Sequence, residues 1–144
     1  MLSKLLLAWC LMALCVAIHS IGLALALRWI KRHLTQISPH FWPATWVLIG
    51  TAGWTLLMHL LQIVVWALYY VWQGGMPDLA TAAYFSAVTY TTTGYGDVVL
   101  PEGWRLVGGV EALTGILMCG LSTGLFLTVF TKLFALNREG APVA

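Results

Sequence analysis

The chain has 144 residues, of which 60% are hydrophobic and only 8% charged, with a formal net charge of +2. No water-soluble domain carries that balance, and so small a positive charge gives no grip on nucleic acid. The apolar residues fall in long runs, which points to a polytopic membrane protein with room for three spans and one shorter re-entrant segment.

The first apolar run, Leu5 to Leu27, is broken only by His19, Ser20 and Gly22, and predicts a transmembrane helix within residues 1–30. Lys4, this run and Ala24-Leu25-Ala26 also fit a secretory signal peptide. The run is longer than the usual apolar core of such a peptide, and the basic cluster Arg28, Lys31, Arg32 follows it, so the span is the preferred reading. Basic residues stay on the cytoplasmic side, so the helix is expected to start outside and end inside. It lacks the repeated arginines of a voltage sensor. Cys10, Cys15 and Cys119 lie in apolar segments without metal-ligand spacing and read as small core or lipid-facing residues.

Residues 31–44, with Pro39 and Pro43, read as a cytoplasmic linker, with Phe41 and Trp42 resting at the membrane surface. The second span is expected over 45–72. Trp42 and Trp46 mark its inner end, and Trp66, Tyr69, Tyr70 and Trp72 its outer end, as aromatic belts. Thr51, Gly53, His59 and Gln62 are expected to face protein. His19 and His59 fall near mid-membrane. A proton-sensitive switch is one reading; the preferred one is a neutral histidine sharing hydrogen bonds with Gln62, a serine or a carbonyl.

Gln73-Gly74-Gly75 ends that helix, and Pro77-Asp78 suits the start of another over 78–91, too short to span. Its negative dipole end would point at the bilayer centre. Then comes Thr91-Thr92-Thr93-Gly94-Tyr95-Gly96-Asp97. Glycines alternating with Tyr95 permit backbone angles closed to most residues. Irregular backbone survives at membrane depth only inside protein or beside a watery cavity. A single chain cannot enclose itself in this way, but a closed ring of copies can.

Pro101 to Gly103 reads as an outer turn, and 104–134 as the last span, rich in small residues at Gly108, Gly109, Gly115, Gly120 and Gly124. Residues 137–144 read as a cytoplasmic tail too short to fold. Lys4 and Arg105 then lie outside, and Arg28, Lys31, Arg32, Lys132 and Arg138 inside. Asp78, Asp97 and Glu102 fall on the outer side, either drawing cations to an entrance or as ordinary solvated side chains.

The short helix, the Thr-Thr-Thr-Gly-Tyr-Gly-Asp run, the outer proline and the glycine-bearing last helix together resemble the pore module of potassium channels. The match covers Thr45 to Phe134 and looks most like the small bacterial members without a large cytoplasmic domain. The resemblance implies an all-α membrane protein in the inner or plasma membrane. Three transmembrane helices and a re-entrant pore helix with its selectivity-filter loop would assemble as a homotetramer around one pore. It implies K+ as permeant ion, no cofactor and no enzymatic activity. It places K+ at the carbonyls of Thr92, Thr93, Gly94 and Tyr95, with the Thr92 hydroxyl completing the innermost site and Gly96 and Asp97 shaping the mouth. Such oxygens replace the ion's water shell. They must be close, because the idealised cost of moving an ion into a dry interior is about 20 kcal/mol.

Three positions depart from that pattern. Thr93 stands where the family has Val or Ile; it is also β-branched, but its hydroxyl adds a polar group behind or beside the ion path and loosens the expectation of selectivity. Val88 stands where some relatives carry a pore-helix glutamate paired with the filter aspartate. Glu111 lies inside the last helix, where carboxylates are costly and usually functional. It is expected to reach behind the filter and accept hydrogen bonds from the loop backbone or pore-helix hydroxyls; the alternatives are a cavity-lining cation attractor or a carboxyl kept neutral by burial. The resemblance makes Gly115, with Gly120, the gating hinge. Beside a K+-selective channel stand two other readings: a weakly selective monovalent cation channel, because of Thr93, and a non-conducting regulatory subunit retaining the pore fold.

Overall fold

The computed structural model describes residues 2–33 and 41–139. Among these the protein is all-helical: α1 (Leu2–His33), α2 (Phe41–Trp72), the short α3 (Leu79–Tyr90) and α4 (Arg105–Glu139), the last preceded by one 3-10 turn, Glu102–Trp104. Helices α1, α2 and α4 are long and apolar enough to cross a membrane. Helix α3, at 12 residues, spans about 18 Å and is not.

The spans run past their expected ends. Residues 31–33 and 41–44, read as linker, are helical. Pro43 is accommodated because a first-turn proline lacks only an N–H that has no helical acceptor there. Residues 137–139, read as tail, continue α4. The rest of the expected linker, 34–40, and of the tail, 140–144, lies outside the described residues, as does the Arg138 side chain.

Two clusters show how the helices run. At one end the Lys4 ammonium lies 3.8 Å from the centre of the Trp104 ring, and the Tyr69 hydroxyl donates to the Lys4 carbonyl at 3.3 Å. The start of α1, the end of α2 and the start of α4 therefore share that end. At the other, Ile30 packs with Leu125, Val129 and Leu133, flanked by Val47 and Leu48. So α1 and α4 run parallel and α2 antiparallel to both. Midway, the Trp54 indole N–H donates to the Gly22 carbonyl at 3.0 Å and ties α2 to α1.

The outer aromatic belt is smaller than its composition suggests. Trp66, Tyr69 and Tyr70 are buried, and of that group only Trp72 is largely exposed. They stack tilted or edge-to-face with one another and with Phe85 and Trp104, a geometry that suits the ring quadrupoles. The docking of α3 against α2 draws them inward. The inner pair Trp42 and Trp46 is exposed, as a belt requires. Thr51 and Gln62 face protein, whereas Gly53 is exposed with nothing near it, against expectation.

Candidate functional site

Helix α3 is capped at both ends by its own neighbours. Asp78, in extended conformation, accepts from the Thr81 N–H at 2.9 Å and the Thr81 hydroxyl at 2.7 Å. Those bonds, the backbone one foremost, hold its carboxyl below the usual aspartate range. At the other end Thr91 N–H donates to Ala87, Thr92 N–H to Thr89 and Thr93 N–H to Val88, with the Gly94 N–H also reaching the Val88 carbonyl. The loop's own amides thus satisfy the last carbonyls of α3, and they fix how the chain leaves the helix.

From there the backbone alternates. Thr92, Gly94 and Gly96 have φ of 59°, 59° and 78°, while Thr93 and Tyr95 are not in that region. Alternation of left- and right-handed residues turns successive N–H groups to one side and the carbonyls to the other. Two of the three left-handed positions are glycines, which adopt them freely. Thr92 is not, and a β-branched residue held there costs on the order of 1–3 kcal/mol. Sequence reasoning saw the need at the glycines and missed it at Thr92. Every residue from Thr91 to Asp97 is exposed in the chain, Tyr95 at 71%.

The side chains behind the loop are tied back. The Thr91 hydroxyl donates to the Ala87 carbonyl at 2.7 Å, so its 2.9 Å bond with Thr93 takes the Thr93 hydrogen. The hydroxyl that sets Thr93 apart from Val is therefore spent on the cap of α3. Asp97 accepts from the Tyr84 hydroxyl at 2.6 Å. Chiefly through that bond, its carboxyl lies below the usual aspartate range. Tyr84, thirteen residues upstream, thus ties the Asp97 carboxylate back to α3. A depressed carboxyl stabilises this brace fully above the ordinary value of 3.8, and the brace is lost as pH falls through the lowered value. Tyr84→Phe should return the Asp97 titration upward toward that ordinary value, as followed by carboxyl 13C NMR in detergent; an unmoved titration would contradict the brace. Glu102, the third outer carboxylate, lies 3.9 Å from Arg105, both well exposed, a pairing of little energetic weight.

Glu111 is fully buried. It accepts from the Tyr70 hydroxyl of α2 at 2.7 Å and is bonded to the Ser86 hydroxyl of α3. The side chain lies between α3 and α2 rather than on the open face of α4. Ser86 also lies 3.0 Å from the Ile63 carbonyl. One hydroxyl hydrogen cannot serve both acceptors fully, so a proton on Glu111 would complete the set. The clue to these partners in the sequence was a serine and a tyrosine in otherwise apolar segments.

Gly115 sits where α4 crosses the last residue of α3. A Cβ there would lie 2.7 Å from the Tyr90 carbonyl carbon and closer still to its oxygen. Gly120 has open space around it. Helix α4 is continuous through both.

A sequence model of a protein family described as "ion channel" matches residues 45–132. The match takes in α3, the loop and most of α2 and α4, and leaves α1 outside. The potassium voltage-gated channel protein Shal of Drosophila melanogaster is 36% identical over 64 residues, which are 43% of this chain and 11% of that protein. The chain thus spans a small part of that relative's length. No solved structure matches.

Proposed function

The chain belongs to the ion channel family, and from that premise we propose that it is a potassium-selective channel that passes K+ passively down its gradient. The loop 92–96 would offer its carbonyls to the ion, with K+ at Thr92, Thr93, Gly94 and Tyr95. The observation that carries this reading is the alternation of backbone handedness at Thr92, Gly94 and Gly96 in a loop that lies wholly open in the single chain. Exposed carbonyls at membrane depth call for enclosure by protein. A ring of identical copies supplies it, and four is the number such loops take. Tyr95, exposed in one chain, would find its packing against a neighbouring copy.

The start of α1, the end of α2 and the start of α4 share one side of the molecule, and the Gly75 turn that leads to α3 lies against Trp104 there. With Arg28, Lys31, Arg32 and Lys132 at the opposite side, the basic bias supports an N-terminus outside and a C-terminus in the cytoplasm, in a cell membrane. Bending of α4 near Gly115 or Gly120 remains the proposed gate. The weakly selective alternative drew on Thr93; the bond from its hydroxyl to Thr91 favours the selective one.

The purified chain in liposomes should pass K+, and reversal potentials in mixed K+ and Na+ should follow K+. Gly96→Ala, which puts a Cβ on a left-handed residue, should reduce flux at least tenfold. A wild-type reversal potential indifferent to the K+/Na+ ratio would replace selective conduction with weak selectivity. No flux from wild-type protein would leave the regulatory-subunit reading.

A further inference from the structure

Five side chains from four helices close a ring of hydrogen bonds below the loop. The Gln62 amide nitrogen lies 2.9 Å from His19 Nδ1, and His19 Nε2 lies 3.0 Å from the Ser122 hydroxyl. That hydroxyl lies 2.9 Å from His59 Nε2, and His59 Nδ1 lies 3.2 Å from the Tyr90 hydroxyl. Tyr90 returns to the Gln62 amide oxygen at 2.8 Å.

The direction of every bond follows from one fixed point. The Met58 carbonyl, 3.1 Å from the Gln62 nitrogen, can only accept. The amide therefore turns its oxygen to Tyr90, whose single hydrogen goes there. His59 must then donate from Nδ1 to the Tyr90 oxygen, which leaves its Nε2 bare to take the hydrogen of Ser122. The Ser122 oxygen accepts from His19 Nε2–H, and the bare His19 Nδ1 accepts from Gln62. Each donor has an acceptor, all bonds run the same way round, and both imidazoles are neutral in opposite tautomers.

A proton added to either imidazole breaks this order. On His59 it sets N–H against the Ser122 O–H, and relief requires that hydrogen to turn out of the ring, which ends the one-way order of the bonds. On His19 it sets N–H against the Gln62 amide. The two rings are 5.1 Å apart, so the new charge also faces a second imidazole. The other titratable groups acting on Tyr90 are Cys15 from α1 and Cys119 and Glu111 from α4. The one carboxyl among them is engaged by Tyr70 and Ser86. His19 is fully buried and His59 partly so, and a cation there without a free counter-charge is disfavoured.

Tyr90 is the last residue of α3, and its carbonyl rests against Gly115 while its hydroxyl is clasped by the ring. We propose that His19, His59, Gln62 and Ser122 are positioning residues that hold Tyr90, and through it the loop beginning at Thr91, in conducting geometry only while both imidazoles are neutral. Conduction is then acid-sensitive, and α1, outside the matched family region, belongs to the pore machinery through His19. This rests on the reading of residues 92–96 as the conducting loop.

The test uses the full chain in liposomes with K+ flux measured at symmetric pH from 8 to 4.5. Wild-type flux should fall at least tenfold toward the acid end, and His19→Gln and His59→Gln should each flatten that fall. A flat wild-type profile, or variants that keep the wild-type profile, would overturn the proposal. Should those variants fail to assemble, Ser122→Ala should displace the acid midpoint by at least one pH unit while Ser122→Thr, which keeps the hydroxyl, leaves it in place; an equal effect of the two would overturn it. A second readout does not need conduction. Imidazole 15N spectra of the solubilised protein at pH 8 should show His59 as the Nδ1–H and His19 as the Nε2–H tautomer, and finding the same tautomer in both would refute the ring. Absent wild-type flux with opposite tautomers would sink the channel reading, and the positioning role with it, while leaving the ring intact.

Discussion

Gly115→Ala is expected to destabilise the protein by about 3 kcal/mol or more, read as a lowered midpoint of unfolding in a graded detergent titration. Overpacking commonly costs about 1–3 kcal/mol, and the low end applies when a flexible side chain can move aside. Here the obstruction is backbone: the added methyl overlaps the Tyr90 carbonyl at the end of α3. Relief must come from sliding α4 away from α3, which also pulls Glu111 from Ser86 one turn above. Gly120→Ala is the control. Nothing lies within 4 Å of the new methyl, and alanine is the better helix former by about 1 kcal/mol, so stability should hold or rise. If both substitutions behave alike, the close crossing at Tyr90 is not what keeps position 115 a glycine.

The second large effect is expected at Glu111. Leucine there would fill the space and strand the buried Tyr70 hydroxyl, while the Ser86 hydroxyl would keep the Ile63 carbonyl as its acceptor. A stranded polar group costs about 1–3 kcal/mol, so Glu111→Leu should cost about that much in the same titration. Glutamine can accept from Tyr70 with its oxygen and donate to Ser86 with its nitrogen, and Glu111→Gln should stay within about 1 kcal/mol of wild type. The double change Tyr70→Phe with Glu111→Leu should cost less than the sum of its parts, since one stranded group disappears. Additive losses, or a glutamine variant as damaged as the leucine one, would show that packing rather than these hydrogen bonds sets the cost.

These effects mark the border of what the sequence disclosed. Spans announce themselves because a bilayer demands about twenty apolar residues in a row. The cap of α3 was visible in Pro77-Asp78, and the loop in its glycines. The aromatic residues Trp66, Tyr69 and Tyr70 misled because an amphipathic ring at a helix end serves lipid headgroups and a neighbouring helix equally well. Thr92 gave no warning, since nothing in a β-branched residue advertises a left-handed backbone. Glu111 was recognisable as costly, but its partners lie 41 and 25 residues away and only packing brings them together. The preferred reading of His19 and His59 offered Gln62, a serine or a carbonyl as partners; that both histidines, Gln62, Ser122 and Tyr90 form one loop of bonds needed coordinates.

The bond between His19 and Ser122 joins positions 103 apart. Translation therefore delivers α1 long before its partner on α4 exists, and a nascent chain ending short of Ser122 lacks this tie. The tie between α1 and α4 at this ring therefore forms only after all of α2 and α3 has been made.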